Sequence, residues 1–351
     1  MIFLLPFCLL LVSGLVYQWA GRRRDVRRFP PPGRLLDVDG TRLHLLEKGA
    51  GESTVIFEAG IAGSSVSWQL VQSRVAAFAR TFSYDRAGLG WSEPVRGPRT
   101  LQQSIQELHT LLQVAGAKAP YLLVGHSYGG LLVRAFAAAY PEEIAGLVLV
   151  DPVAVAEWAQ PTEDSLRRLR RAVRLSRRGA WLAHLGLVRF ALARLLSGDS
   201  RIAQRIAELA SGRGASVASR LVGEVSKLPR ASWPVVQAHW CDPKCFHGMA
   251  AHLEQLPASA ASLAALGTLP DVPVCVISAS TATESERQER EAVVRSVSFG
   301  EHIVAAGAGH WIQLDRPVLI AQACQRMLPS LAHHSGSDAE DTAGSSPNSF
   351  A

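Results

Sequence analysis

The chain has 351 residues, 48% of them apolar and 19% charged, with 36 Lys plus Arg against 30 Asp plus Glu for a formal net charge of +6. That apolar content is enough for a real core and excludes a disordered or fibrous protein, and the charge excess is too mild to argue for nucleic acid. Five cysteines, an odd number in so long a chain, speak against a secreted scaffold stapled by disulfides.

The chain opens on Ile2 to Ala20, an uncharged run. As a helix it would be roughly 28 Å long, just enough for one bilayer crossing. A cleaved signal peptide fits less well, because no basic residue precedes the run and Gln18-Trp19-Ala20 is a poor cleavage site; a buried helix is the other rival. Residues 1–21 are therefore expected to be an N-terminal transmembrane anchor. Arg22, Arg23, Arg24, Arg27 and Arg28 follow at once, and basic flanks prefer the cytoplasmic side, which would leave the body of the protein there. Residues 22–34, basic and then rich in proline through Pro30-Pro31-Pro32, read as a stiff spacer.

From Leu35 onward short apolar runs alternate with helix-patterned stretches. The predicted strands are Leu43–Glu47, Thr54–Glu58, Thr81–Tyr84, Tyr121–Val124, Gly146–Val150, Val274–Ser278 and His302–Ala305; the predicted helices between them are Ser67–Phe78, Leu101–Ala115, Gly130–Ala139 and Glu284–Val297. Strands buried on both faces and joined by crossover helices imply an α/β fold with a doubly wound, mostly parallel sheet. The alternation stops between residues 153 and 266, where only helix-like segments occur: Asp164–Leu175, Ala180–Leu196, Ser200–Leu209 and Ala250–Leu266. This insertion is expected to form a helical lid, or cap, over the sheet's carboxyl edge. The core would then be residues 35–152 and 267–332, and the polar, Ser- and Gly-rich residues 333–351 a disordered tail.

Gly125-His126-Ser127-Tyr128-Gly129 fits G-x-S-x-G, between a predicted strand and a predicted helix. Such a turn needs small residues around the serine and lifts its hydroxyl above the sheet edge. A serine hydroxyl is a poor nucleophile and needs a base. His310, in Gly309-His310-Trp311 after the last strand, is the best of the eleven histidines, ahead of His126, which lies beside the serine inside the turn.

These features resemble the α/β-hydrolase fold family. Tyr84-Asp85-Arg86-Ala87-Gly88-Leu89-Gly90-Trp91-Ser92 resembles that family's D-x-R-G-x-G-x-S turn after its fourth strand, and Gly146 to Pro152 its sixth strand. The likeness covers residues 35–152 and 268–331; the lid matches in length and position only. It implies a serine hydrolase of the esterase-like branch that forms an acyl-enzyme, with no cofactor and no metal. It also implies an oxyanion hole from the backbone N–H groups of Ile61 and Tyr128, although Glu58-Ala59-Gly60-Ile61 replaces the usual His-Gly loop. Glu58 itself reads as a structural carboxylate pairing with Arg86 or with a backbone turn. The usual acid after the seventh strand is missing. Asp151, at the end of the sixth strand, is favoured as the third triad member, with Glu284 or no acid at all as alternatives. Serine at the turn argues against the dehalogenase and epoxide hydrolase branches, which carry aspartate there.

The lid's Leu, Ala and Trp content suggests a small apolar acyl substrate, hence an ester. Amide, lactone or carbon-carbon bond cleavage and acyl transfer would use the same residues, and the missing acid leaves a non-catalytic binding module open. Two further motifs stand outside this scheme. His239, Cys241, Cys245 and His247 lie within nine residues but lack a zinc-finger spacing. Arg167, Arg168, Arg170, Arg171, Arg174, Arg177 and Arg178 read as a solvated helix face that could also rest on anionic lipid. No obligate protein partner is evident.

Overall fold

The computed structural model describes residues 4–94, 96–196 and 227–334. Eight strands form one sheet: β1 (Arg34–Val38), β2 (Thr41–Lys48), β3 (Thr54–Glu58), β4 (Arg80–Tyr84), β5 (Tyr121–His126), β6 (Ile144–Val150), β7 (Val274–Ala279) and β8 (Gly300–Ala305). Their order is β1-β2-β4-β3-β5-β6-β7-β8. Pairing is parallel from β4 through β8 and antiparallel for β1 with β2 and β2 with β4. Every residue of β3, β5, β6 and β7 is buried, as the unbroken apolar runs require.

Alternate side chains of these strands feed two separate cores. Ile56, Leu123, Leu147 and Leu149 pack with α3 (Leu101–Ala115) and α4 (Tyr128–Ala139) on one face. Val55, Phe57, Leu122, Val124, Val148 and Val150 pack on the other with α2 (Gln69–Val75) and residues of the C-terminal helix. A period of two along a strand that is covered on both sides produces this division. The strand missed by pattern reading is β1, five residues with Asp37 inside it. Its signal lies in the turn instead: Asp39-Gly40, both at positive φ (50° and 76°), joins it to β2 as a hairpin.

Helices alone occupy the described residues between β6 and β7: α5 (Val155–Ala159), α6 (Glu163–His184), α7 (Leu187–Leu196), α8 (Trp233–Cys241) and α9 (Pro243–Ala265). The last packs on α6 and α5 and reaches α3 and α4, where Leu256, Ala260 and Leu263 join the core. The expected break between residues 175 and 180 does not occur. Helix α6 continues through Gly179, whose missing Cβ admits the Phe246 ring, and the chain turns instead at Gly186, where φ is +73°. The predicted helix Ser200–Leu209 lies outside the described residues. After β7 come α10 (Glu284–Arg295), α11 (Ile312–Asp315) and α12 (Pro317–His334). Of the expected tail at 333–351, His333 and His334 instead continue α12, and the rest lies outside the described residues.

The N-terminal helix α1 (Leu4–Arg28) passes through residue 21 without a break. It ends ahead of Pro30-Pro31-Pro32, which cannot continue a helix. Among the described residues no helix is long and apolar enough to cross a membrane, so the expected single-pass span finds no support. The physical reason is visible in how α1 is held. Gln18 Nε2 donates to Cys241 O at 2.8 Å, Arg22 pairs with Asp242 at 2.9 Å, and Arg189 reaches both Gln18 and Asp25. The second half of α1 is thus bonded to α7, α8 and the residue that follows α8. A basic flank orients a helix only if that helix crosses, so the arginines at 22–28 assign no compartment.

Candidate active site

Ser127 stands between the end of β5 and the first residue of α4, with φ 55° and ψ −118°. A non-glycine residue at positive φ is strained by on the order of 1–3 kcal/mol, and close packing holds it there. A Cβ on Gly125 would lie 2.6 Å from Gly129 O, and one on Gly129 would strike Glu58 O. The Ser127 N–H donates to Val150 O at 3.0 Å, and its carbonyl accepts from Val153 N at 3.2 Å, tying the turn to β6 and to the chain beyond it.

His310 comes from the loop between β8 and α11, 183 residues away in the chain, and its Nε2 lies 3.0 Å from Ser127 Oγ. Its Nδ1 lies 2.6 Å from Asp151 Oδ2. Asp151 follows β6 at φ 41°, a second strained residue at the same sheet edge. Its other oxygen accepts from Ala279 N and from Arg290 Nη1, each at 2.9 Å. Burial pushes the Asp151 carboxyl up, but the His310 hydrogen bond, the charges of Arg290 and His310 and the Ala279 N–H outweigh it and hold the group below its ordinary value. The three residues favoured from sequence, Ser127, His310 and Asp151, are therefore brought into one hydrogen-bonded chain. Glu284 is not among them: it is exposed at the start of α10, paired with Arg287 and Gln288.

Sequence reasoning missed Arg290. It is 4% exposed, donates to Pro152 O and to Ser278 Oγ at 3.0 Å each, and so ties β6 to β7 behind the carboxylate. The signal was present in the helical spacing: Arg290 heads the stripe Val293, Val294, Val297 that packs on the core.

His126 has a different neighbour from the serine. Its Nε2 lies 2.8 Å from the His310 carbonyl, to which only a protonated nitrogen can donate, and Nδ1 accepts from Gln313 Nε2 at 3.2 Å. Burial, reinforced by the charge of His310, lowers its pKa to about 3, so the ring is neutral. It holds the backbone of His310, not the nucleophile.

On the opposite side of Ser127 lies the loop after β3. Glu58 is buried and bonded by Tyr84 and Arg86, the structural pairing expected from sequence. Burial raises the Glu58 pKa, and the opposing charge of Arg86 offsets part of that rise. The Arg86 guanidinium also donates to the carbonyls of Ala59, Gly60 and Ile61. In a trans peptide the N–H points opposite to the carbonyl. With Gly60 C=O turned down onto Arg86, the Ile61 N–H is turned the other way. Gly60 is close enough to the turn that a Cβ would sit 3.4 Å from Ser127 Cβ. The Tyr128 N–H, first in α4, has no intrahelical acceptor.

The two motifs outside the scheme have other surroundings. His239 packs edge-on against Trp91 near Asp85, while Cys241 and Cys245 are buried thiols pushed up to about 12 by desolvation. Among the described residues no group of three or more His, Cys, Asp and Glu forms a metal site. In the arginine run of α6, Arg167, Arg168, Arg170 and Arg177 pair with Asp164, Glu157, Glu163 and Glu254.

Known proteins share this arrangement of chain. Residues 53–182 match the family model of the alpha/beta hydrolase fold. An uncharacterised Bacillus subtilis protein, YqjL, is 40% identical over 116 residues, which are 33% of this chain and 46% of that one. The chain thus spans less than half the length of that curated relative. Among solved structures, a thermophilic esterase from Thermogutta terrifontis superposes with a TM-score of 0.58 at 20% identity, covering 85% of this chain and 97% of the esterase. The enol-lactonase of Burkholderia xenovorans gives 0.57 at 20% identity, covering 84% and 100%. The sheet order, the serine turn after β5 and these matches together show that the chain has the alpha/beta hydrolase fold, with residues 53–182 carrying the match to its family model.

Proposed function

We propose that this protein is a serine hydrolase that cleaves an ester or related acyl bond of a small apolar molecule. Ser127 Oγ attacks the acyl carbonyl while His310 Nε2 takes its proton. Asp151 holds the imidazole by Nδ1 and stabilises the imidazolium. The N–H groups of Ile61 and Tyr128 receive the oxyanion, each contributing about 3 kcal/mol to the barrier reduction by comparison with donors that have been removed elsewhere. His310 returns the proton to the leaving group, then activates a water that releases the acid and frees Ser127.

The observation that carries this reading is the unbroken chain Ser127 Oγ, His310 Nε2, His310 Nδ1 and Asp151 Oδ2, with links of 3.0 and 2.6 Å. The helices between β6 and β7 act in it as the cap that encloses the acyl group. Supporting an apolar substrate, Ile61, Val153, Trp158 and Leu253 are partly buried against the core from that side. Membrane attachment through α1 belongs to the same proposal, supported by the outward-facing leucines and valines of that helix.

A fluorophosphonate probe tests the chemistry. Labelling of the native protein that disappears in Ser127→Ala, together with turnover of p-nitrophenyl esters that rises with acyl length, is the expected result. An unlabelled native protein would leave a non-catalytic binding module in its place.

A further inference from the structure

The apolar and polar sides of α1 are reversed relative to an ordinary surface helix. Gly14, Gln18, Gly21 and Asp25, spaced by four, three and four residues, form the side held against the protein. A Cβ on Gly14 would lie 2.5 Å from Leu185 O, and one on Gly21 would strike the Arg189 guanidinium. Gln18 is 5% exposed and bonded at both ends of its amide, and Asp25 is paired with Arg189. Leu9, Leu10, Val12, Leu15, Val16 and Trp19 are instead 49–72% exposed. A helix in water turns such residues inward; a contiguous apolar face of this kind marks a contact with another apolar phase.

Immediately after that face the charge changes. Trp19 and Ala20 together with Arg23, Arg24, Arg27 and Arg28 line an open concavity of about 540 Å³. The Arg23 guanidinium lies 3.9 Å over the Trp19 ring. Leucines, then a tryptophan, then arginines is the order met when passing from the acyl region of a leaflet through its interface to its phosphates. Planar guanidinium forks suit phosphate oxygens. The outward apolar stretch from Leu9 to Trp19 is roughly 16 Å long, enough to enter one leaflet from the side and too short to cross.

We infer that α1 seats the protein on the surface of an anionic phospholipid bilayer, its Leu9 to Trp19 face in one leaflet and its Arg23, Arg24, Arg27, Arg28 concavity on the headgroup phosphates. This rests on the membrane attachment proposed above and names the surface that attachment selects. A second copy of the chain is a poorer occupant, because α1 carries a single acid, Asp25, and that acid is already paired with Arg189.

The test is flotation of the full-length protein with vesicles of phosphatidylcholine alone and of phosphatidylcholine with one third phosphatidylglycerol. Binding rises by about fivefold per engaged arginine on the anionic vesicles and falls with salt. Changing Arg23, Arg24, Arg27 and Arg28 together to Gln abolishes that preference, whereas Leu9→Ser with Leu10→Ser lowers binding to both vesicles. Because all of these side chains are exposed, circular dichroism and the melting temperature should match the native protein, which separates lost binding from lost folding. Equal native binding to both vesicles overturns the headgroup assignment and leaves membrane attachment standing. Binding to neither, with a concentration-dependent dimer in sedimentation, overturns both.

Discussion

Arg290 and Asp151 meet inside the protein, guanidinium Nη1 2.9 Å from carboxylate Oδ1, with side chains 5% and 9% exposed. The acid of the proposed triad is therefore held from two sides, by His310 on one oxygen and by a buried cation on the other. This arrangement compensates for its position: Asp151 sits one strand earlier than the usual acid, and Arg290 descends from the helix after β7 to meet it.

Asp151→Asn should lower kcat by about 10⁴-fold, because an amide cannot hold the imidazole in the required tautomer or stabilise its charged form. Glu284→Gln should stay within about twofold of the native enzyme, given its exposed position and its pairing with Arg287 on its own helix. Parallel p-nitrophenyl ester assays compare the two directly. The reverse pattern would move the acid to α10.

Arg290→Gln removes one of the charges that keep Asp151 below its ordinary pKa. The sign follows: without the cation the carboxyl is protonated at higher pH, so the acid limb of the kcat/KM profile moves upward. Arg290→Lys retains the charge but loses the fork that spans Asp151, Ser278 and Pro152. It should restore the profile more than it restores kcat.

Breaking the Arg86 clamp should affect stability and catalysis together. Arg86→Met leaves the Glu58 carboxylate buried without its cation, a change that typically costs about 3–5 kcal/mol. Adding Glu58→Gln should recover a large part of that loss in urea titrations. It should not recover kcat, because the carbonyls of residues 59 to 61 remain unheld and the Ile61 N–H is no longer aimed.

Ser127→Gly relieves a φ of 55°. The variant should be inactive yet more stable than Ser127→Ala by about 1 kcal/mol, read from the two melting temperatures. Equal melting temperatures would mean that the turn stores no strain.

His126 and His239 titrate in the folded protein at about 3 and 4, and His252 is also pushed down by burial. In the unfolded chain all three take up protons near pH 6.5. Unfolding therefore binds protons below that pH, and stability falls as the solution is acidified from pH 7 toward 5, by on the order of 1 kcal/mol per pH unit for each histidine. Urea midpoints at pH 7, 6 and 5 measure the slope. A flat series would show that these rings are not neutral in the native state.

Local chemistry determined a good deal of this protein. The runs 55–57, 121–124 and 146–150 announce buried parallel strands because no charged side chain interrupts them. Gly125 to Gly129 announces a tight strand-to-helix turn because only glycine fits at its two ends. Ser127, Asp151 and His310 could be nominated because each follows a predicted strand, and strand ends of a parallel sheet gather at one edge.

Tertiary structure decided what spacing cannot carry. The choice between Asp151 and Glu284 depends on which carboxylate faces His310 across 159 residues of chain, and no periodicity encodes that distance. Helical spacing puts Arg290 at the head of the Val293, Val294, Val297 stripe, but only packing makes it a clamp on Asp151. For α1, hydropathy counts leucines but does not say which side of the helix they occupy. Its glycines, Gln18, Arg22 and Asp25 hold it to α7, α8 and the residue after α8, and the apolar side is left facing outward.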